Sequence, residues 1–196
     1  MLKHLTATAA LLTAPFAVFA NDMTPTYTYS QVGYVQSDIA DLDDFTLKGF
    51  ELKSSYAFSD NFFIEGTYSD VNDDATGIRL DAQRLVATLG YIQHINARTT
   101  IDYQLGYGDV DLGVSNEAEN WEGGTHYYIV ESNLRHKVTT QLEFYGGLEW
   151  QNWDDGDNQK AYKLGVKYNW DKFAIGTEYN KYSDEDTVLA YLRYEY

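Results

Sequence analysis

The chain has 196 residues, no cysteine, 18 Tyr, 9 Phe, 4 Trp, 15 Gly and a formal charge of −16. That charge repels phosphate backbones and argues against a nucleic-acid partner, and the missing thiols exclude disulfides, thiolate metal sites and cysteine nucleophiles. The length suits one domain, and past the N-terminal segment no run approaches the ~18 apolar residues of a spanning helix.

In chain order, the first predicted element is a cleaved signal peptide over 1–20. Lys3 and His4 form its basic start, Leu5–Leu12 its apolar middle, and Ala17-Val18-Phe19-Ala20 its small-residue end. Cleavage after Ala20 leaves one domain, 21–196, and removing Lys3 takes the charge to −17.

From Thr26 onward the apolar period is close to two, interrupted by polar turns. Ten strands are expected: 26–37, 46–58, 61–70, 83–95, 98–109, 124–136, 139–152, 159–170, 172–182 and 187–196. Strand eight shows the pattern best. Tyr162, Leu164, Val166, Tyr168 and Trp170 alternate with Lys163, Gly165, Lys167 and Asn169. Strand four is weaker, since Val86 and Ile92 fall on its polar side, and the facing of strand one is ambiguous. Two stacked sheets would also alternate, so the fold depends on which face is dry. Tyr and Trp at the ends of the apolar rows match an interfacial girdle. Short turns at Ser59-Asp60, Asn96-Ala97, Lys137-Val138 and Asp171 alternate with longer connections at 38–45, 71–82, 110–123, 153–158 and 183–186. The expected fold is therefore all-β, a closed up-and-down antiparallel transmembrane barrel of about ten strands. Its short turns and both termini would lie in the periplasm of a Gram-negative bacterium.

The sequence stops on Tyr196, and steps of two lead back through Tyr194, Leu192, Ala190 and Val188. This resembles the C-terminal assembly signal of outer-membrane proteins, which implies the barrel-assembly machinery as a partner during biogenesis. As a whole the chain resembles small outer-membrane barrels of the OmpA-transmembrane and OmpX type. It is more similar still to the diffusible-signal-factor-regulated outer-membrane barrel family, through Tyr29–Val35 (YSQVGYV), Lys53–Phe58 (KSSYAF), Phe62–Ser69 (FFIEGTYS) and Arg84–His94 (RLVATLGYIQH). The OmpX type has eight strands, against the ten expected here. The resemblance implies an exported porin-like barrel and adds little mechanism.

The residues expected to face the lumen include eight acids (Glu51, Glu65, Asp102, Glu131, Glu143, Glu149, Glu178 and Glu195) and six bases (Lys53, Arg84, Arg135, Lys163, Lys167 and Arg193). Such a set can neutralise itself as an ion-pair network, or it can line a narrow selective pore. Acidic residues crowd the outer connections: Asp38, Asp41, Asp43 and Asp44; Asp73, Asp74 and Asp81; Glu117, Glu119 and Glu122; Asp184, Glu185 and Asp186. A solvated rim explains them, and divalent cations bridging to lipopolysaccharide phosphate are the alternative. Asp154, Asp155 and Asp157 are the weak metal candidates, without the twelve-residue calcium-loop spacing.

Among the histidines of the mature chain, His94 and His136 lie by short turns, and only His126 approaches the outer rim, with Glu122 and Ser115 as conceivable partners. No hydrolase, phosphate-loop or zinc-protease motif is present, so no catalytic residue and no cofactor is assigned. The expected function is a non-enzymatic, monomeric envelope barrel in contact with outer-membrane lipid and lipopolysaccharide, with narrow-pore permeation. The alternative is a surface adhesion protein acting through its acidic, aromatic outer loops, and a barrel enzyme acting on lipid or peptide ranks third.

Overall fold

The computed structural model describes residues 23–40, 45–75, 77–116 and 120–196. The proposed signal peptide, Asp41, Asp43, Asp44, Glu117 and Glu119 lie outside the described residues. Ten strands follow one another: β1 (Tyr29–Ile39), β2 (Thr46–Ala57), β3 (Phe62–Ala75), β4 (Ile78–Asn96), β5 (Thr99–Asn116), β6 (Asn120–Lys137), β7 (Leu142–Trp153), β8 (Gln159–Trp170), β9 (Phe173–Lys181) and β10 (Glu185–Glu195). Each pairs antiparallel with its sequence neighbours, and β1 pairs with β10 from Tyr29↔Glu195 to Ile39↔Glu185, so the sheet closes on itself. Closure satisfies every edge and excludes the stacked-sheet alternative.

The alternation places apolar rows outside. Leu105 and Leu148 are 65% and 70% exposed, and Leu52, Ile64, Leu89, Leu134, Leu164 and Ile175 share that outer face. Ring contacts gather at the two ends of this belt. Near the short turns Phe62 meets Tyr91, Trp170 meets Phe173, and Phe173, Tyr194 and Tyr196 form a chain. Toward the loops Phe50 meets Tyr68, Tyr107 meets Tyr128, and Tyr162 meets Tyr179. An apolar cylinder of this extent is unstable in water and is matched to hydrocarbon between two interfaces.

The expected long connections at 71–82 and 110–123 are instead largely strand. The ladder runs on through Val71↔Ala82, Asp73↔Leu80 and Asp74↔Arg79 to a turn at Gly77, whose φ of 78° suits a residue without Cβ. It likewise continues through Val110↔Thr125, Leu112↔Gly123 and Val114↔Trp121. Clustered aspartates suggested turns, but an exposed ladder above the belt tolerates charge, and cross-strand pairing overrides the low strand propensity of Asp. β5 and β6 reach 18 residues each, about 60 Å at ~3.3 Å per residue. β7 to β10 have 9 to 12 residues, so one side of the barrel projects beyond the other.

At the opposite end, the expected start of strand one at Thr26 is also displaced. The ladder begins at Tyr29, and the preceding residues leave the wall to cross the mouth. Ser55 Oγ donates to the Tyr27 carbonyl, and the Thr24 hydroxyl reaches the Ala97 carbonyl. This segment explains the ambiguous pattern of the first strand, because part of it is not sheet.

Candidate functional site in the barrel lumen

At the turn end the lumen has a floor. The Tyr27 ring packs with Phe63 and Ile92, its hydroxyl donates to Asp102 Oδ2 at 3.0 Å, and it lies 2.8 Å from the Thr100 hydroxyl. The Arg135 guanidinium sits 4.7 Å from the centre of the same ring and donates through Nη1 to the Thr26 carbonyl. Arg135 also pairs with Glu143 at 2.7 Å, Glu143 with Lys167 at 3.3 Å, and Lys167 with Glu195 at 2.5 Å. Glu143 and Lys167 are wholly buried. Such a chain of alternating charges satisfies the demand that ions removed from water be paired.

One layer higher, Arg193 stacks 3.6 Å from the Tyr29 ring centre and donates through Nε and Nη2 to Gln31. The Tyr29 hydroxyl donates to Glu65 at 2.6 Å. Lys53 faces Glu51 and Glu65 at 3.7 and 4.0 Å, while Lys163 pairs with Glu131. Asn180 donates to Glu178 and Gln151 to Glu149. Arg84 stands at the loop end, 3.7 Å from Glu185 and over the Tyr182 ring. All fourteen charged residues expected in the lumen are buried or half-buried, from Glu143 and Lys167 at the turn end to Arg84 at the loop end.

Four lumen aromatics lie over directly paired glycines: Phe63 over Gly90, Tyr127 over Gly108, Tyr145 over Gly165 and Tyr191 over Gly176. A Cβ on Gly108 would fall 2.2 Å from Tyr127 Cζ, and one on Gly165 would fall 2.2 Å from Tyr145 Cζ. Rings that lie flat on bare backbone fill the lumen without crossing it completely. The rings of Tyr27, Tyr29 and Tyr191, together with Gln31, Gln151 and Trp153, were missed by sequence reasoning that took charge as the mark of the lumen, whereas the alternation of strand seven already sets Tyr145 on the face of Glu143 and Glu149. Parity was the available signal: Gln151 and Trp153 share that phase.

Cavities among the described residues divide the lumen along its axis. One of about 360 Å³ opens toward the loops, and one of about 50 Å³ lies below it. Lys53, Glu65, Glu131, Lys163 and Glu178 border both, so this ring of charge forms the constriction between them. The upper chamber is partly apolar. Val35, Leu47, Val71, Val110 and Ile129 turn inward there, and Val86 joins them, as its place on the polar face of β4 requires.

The outward row Val188, Ala190, Leu192, Tyr194 and Tyr196 stands on one face of β10 or just past it, with Tyr194 half-buried among rings. Asp154, Asp155 and Asp157 are exposed in the turn after β7, and no group of three potential metal ligands converges among the described residues. His126 takes neither partner envisaged for it. Its Nδ1 lies 3.0 Å from Asp109 Oδ2, and its ring stacks on Tyr107. Glu122 is four residues away along the same extended strand, about 13 Å at ~3.3 Å per residue, and Ser115 pairs across to Asn120. The correction has a simple cause: where a loop was expected, the ladder holds these side chains apart.

A closed sheet with an apolar exterior between two aromatic girdles and an ion-paired lumen defines a transmembrane-type β-barrel. No protein-family model matches the chain, and neither does any curated sequence. Among solved structures it is similar to the translocator domain of the autotransporter NalP from Neisseria meningitidis, with a TM-score of 0.50 and 7% identity over 89% of this chain and 90% of that one. The attachment invasion locus protein Ail of Yersinia pestis gives 0.46 and 16%, covering 88% of this chain and 99% of that one. The KdgM porin gives 0.46 and 13%, covering 85% and 99%. At these identities the likeness speaks to the fold.

Proposed function

We propose that the chain is an integral barrel of a Gram-negative outer membrane, a monomeric, non-enzymatic envelope component through which solutes pass only slowly. The observation that carries this reading is the apolar belt around a lumen whose turn-end half is filled by paired charges and rings. Permeation would then be limited by the Lys53–Glu65–Glu131–Lys163–Glu178 ring and the Tyr27 floor beneath it. The N-terminal segment would direct export and be removed, the short turns and both termini would face the periplasm, and the row ending at Tyr196 would engage the assembly machinery. The acidic loops would face lipopolysaccharide. The similarity to the diffusible-signal-factor-regulated family belongs to this proposal and rests on the four segments that carry it. Planar-bilayer recordings of the purified barrel test the reading. Sparse, small openings are expected, and a large steady conductance would overturn it.

The projecting sheet favours a second reading, adhesion. Residues 120–126 of β6 extend past the last β7 pairing at Tyr127↔Trp153, and Trp121 is 58% exposed. Removing 112–123 and joining Asp111 to Gly124 through an Asn-Gly turn keeps the barrel register. If adhesion is the function, cells carrying the trimmed barrel lose surface attachment. Unchanged attachment would leave the permeation reading alone.

A further inference from the structure

The upper chamber combines an apolar patch with a charged one. From β1, β2, β3, β5 and β6 the side chains of Val35, Leu47, Val71, Val110 and Ile129 face in, and the Tyr127 and Trp153 rings stack 4.5 Å apart beside them. Acidic groups enter from both sides: Glu51, Glu65 and Glu131 from β2, β3 and β6, and Glu149, Glu178, Asp184 and Glu185 from β7 to the start of β10. Seven carboxylates line the chamber against three cations. Those cations are committed: Lys53 to Glu51 and Glu65, Lys163 to Glu131, and Arg84 to Glu185. Three carboxylates remain outside these pairs: Glu178 receives a hydrogen bond from Asn180 and Asp184 one from Gln159, and beside the rings stands Glu149. It is only 8% exposed, borders the chamber, receives a hydrogen bond from Gln151 and holds no ion pair among the described residues. The same glutamine accepts the Trp153 indole N–H at 2.9 Å, which fixes the aromatic ring beside the Glu149 carboxyl.

We propose that this chamber is a binding site for a small organic cation with an apolar body. Ammonium charge is drawn to Glu149 and to the Trp153 ring together, since a ring face and a carboxylate both attract a weakly hydrated cation. The apolar body lies against the Val and Ile wall, which a simple metal ion would leave unused. A volume of about 360 Å³ falls within the usual range of small-ligand pockets. An anion meets the surplus of carboxylates, and a neutral analogue leaves Glu149 unanswered. The inference rests on the barrel reading above but not on permeation, because the chamber is reached from the loop end without passing the constriction.

Calorimetric titration of the full barrel, folded in nonionic micelles, tests it with three probes of one shape: benzyltrimethylammonium, benzyl alcohol and benzenesulfonate. Saturable binding is expected for the first alone. Glu149→Gln should weaken it about tenfold or more, the scale of one lost charge-assisted contact, with Trp153→Leu acting in the same direction. Glu185→Gln, at the solvent-facing rim, keeps the test decisive if Glu149→Gln fails to fold, since it frees Arg84 to repel the cation and should also weaken binding. The proposal is overturned if the folded barrel gives no saturable heat with benzyltrimethylammonium, if the three probes bind alike, or if the folded variants keep affinities within about twofold of the parent. Failure of the barrel reading shows separately, as a chain without the heat-dependent gel migration of a closed barrel.

Discussion

Two residues illustrate how closely the lumen is determined. Glu143 has no contact with solvent and holds both Arg135 and Lys167. Glu143→Gln keeps the shape and removes the charge, leaving two buried cations short of a partner. We expect a loss of about 3 kcal/mol, toward the lower end for a broken buried pair because Glu195 still serves Lys167. Urea unfolding in nonionic micelles measures it, and a change below ~1 kcal/mol would mean that water already screens the site. Gly165 offers the steric counterpart. Gly165→Val drives side-chain atoms into the Tyr145 ring and should cost about 1–3 kcal/mol in the same assay, as overpacking does. The double change Gly165→Val with Tyr145→Ala should recover part of that loss.

Among the elements, the start of β2 is pinned by a charge on its neighbour. The Asp73 carboxylate accepts the backbone N–H of Thr46 at 2.8 Å and that of Asp74 at 2.9 Å. These two hydrogen bonds hold the Asp73 acid below its ordinary value. With the folded value depressed, the contribution is complete above the unfolded value, near ~3.9, and is lost as pH falls through the lower folded value. Protection of the Thr46 amide from exchange should therefore hold at neutral pH and fail only in strong acid, whereas Asp73→Ala should abolish it throughout. Retained protection in that variant would show that the ladder alone fixes the strand start. The same elements show why a run such as Asp70-Val71-Asn72-Asp73-Asp74 misleads when read alone. It is rich in turn-forming residues, yet Val71 keeps the inward phase of the strand and pairs with Ala82.

For the whole molecule, the decisive feature is asymmetry along the axis. The loop-end chamber is open and the turn end is closed by Tyr27, carried there by a segment that crosses the mouth rather than joining the wall. Tyr27→Ala removes the ring that bridges β2 to β5 and frees Asp102 and Arg135. Single-channel conductance should rise severalfold over the parent while the barrel stays closed. An unchanged conductance would place the constriction at the Lys53–Glu131–Lys163 level instead.

The period of two in the sequence determined the strand number and the shared phase of the charged residues, and the aromatic ends of the apolar rows pointed to a closed wall. A barrel wall has only two faces, and lipid tolerates charge on neither the strand nor its neighbour. Glu143 and Lys167 could be assigned to the lumen on that ground alone. Their joining to Arg135 and Glu195, the crossing of Tyr27 and the gathering of apolar and acidic side chains around one chamber required the tertiary structure. Those features depend on which strands stand opposite one another and at what height, and that information lies in ladder register and closure rather than in any local run of residues.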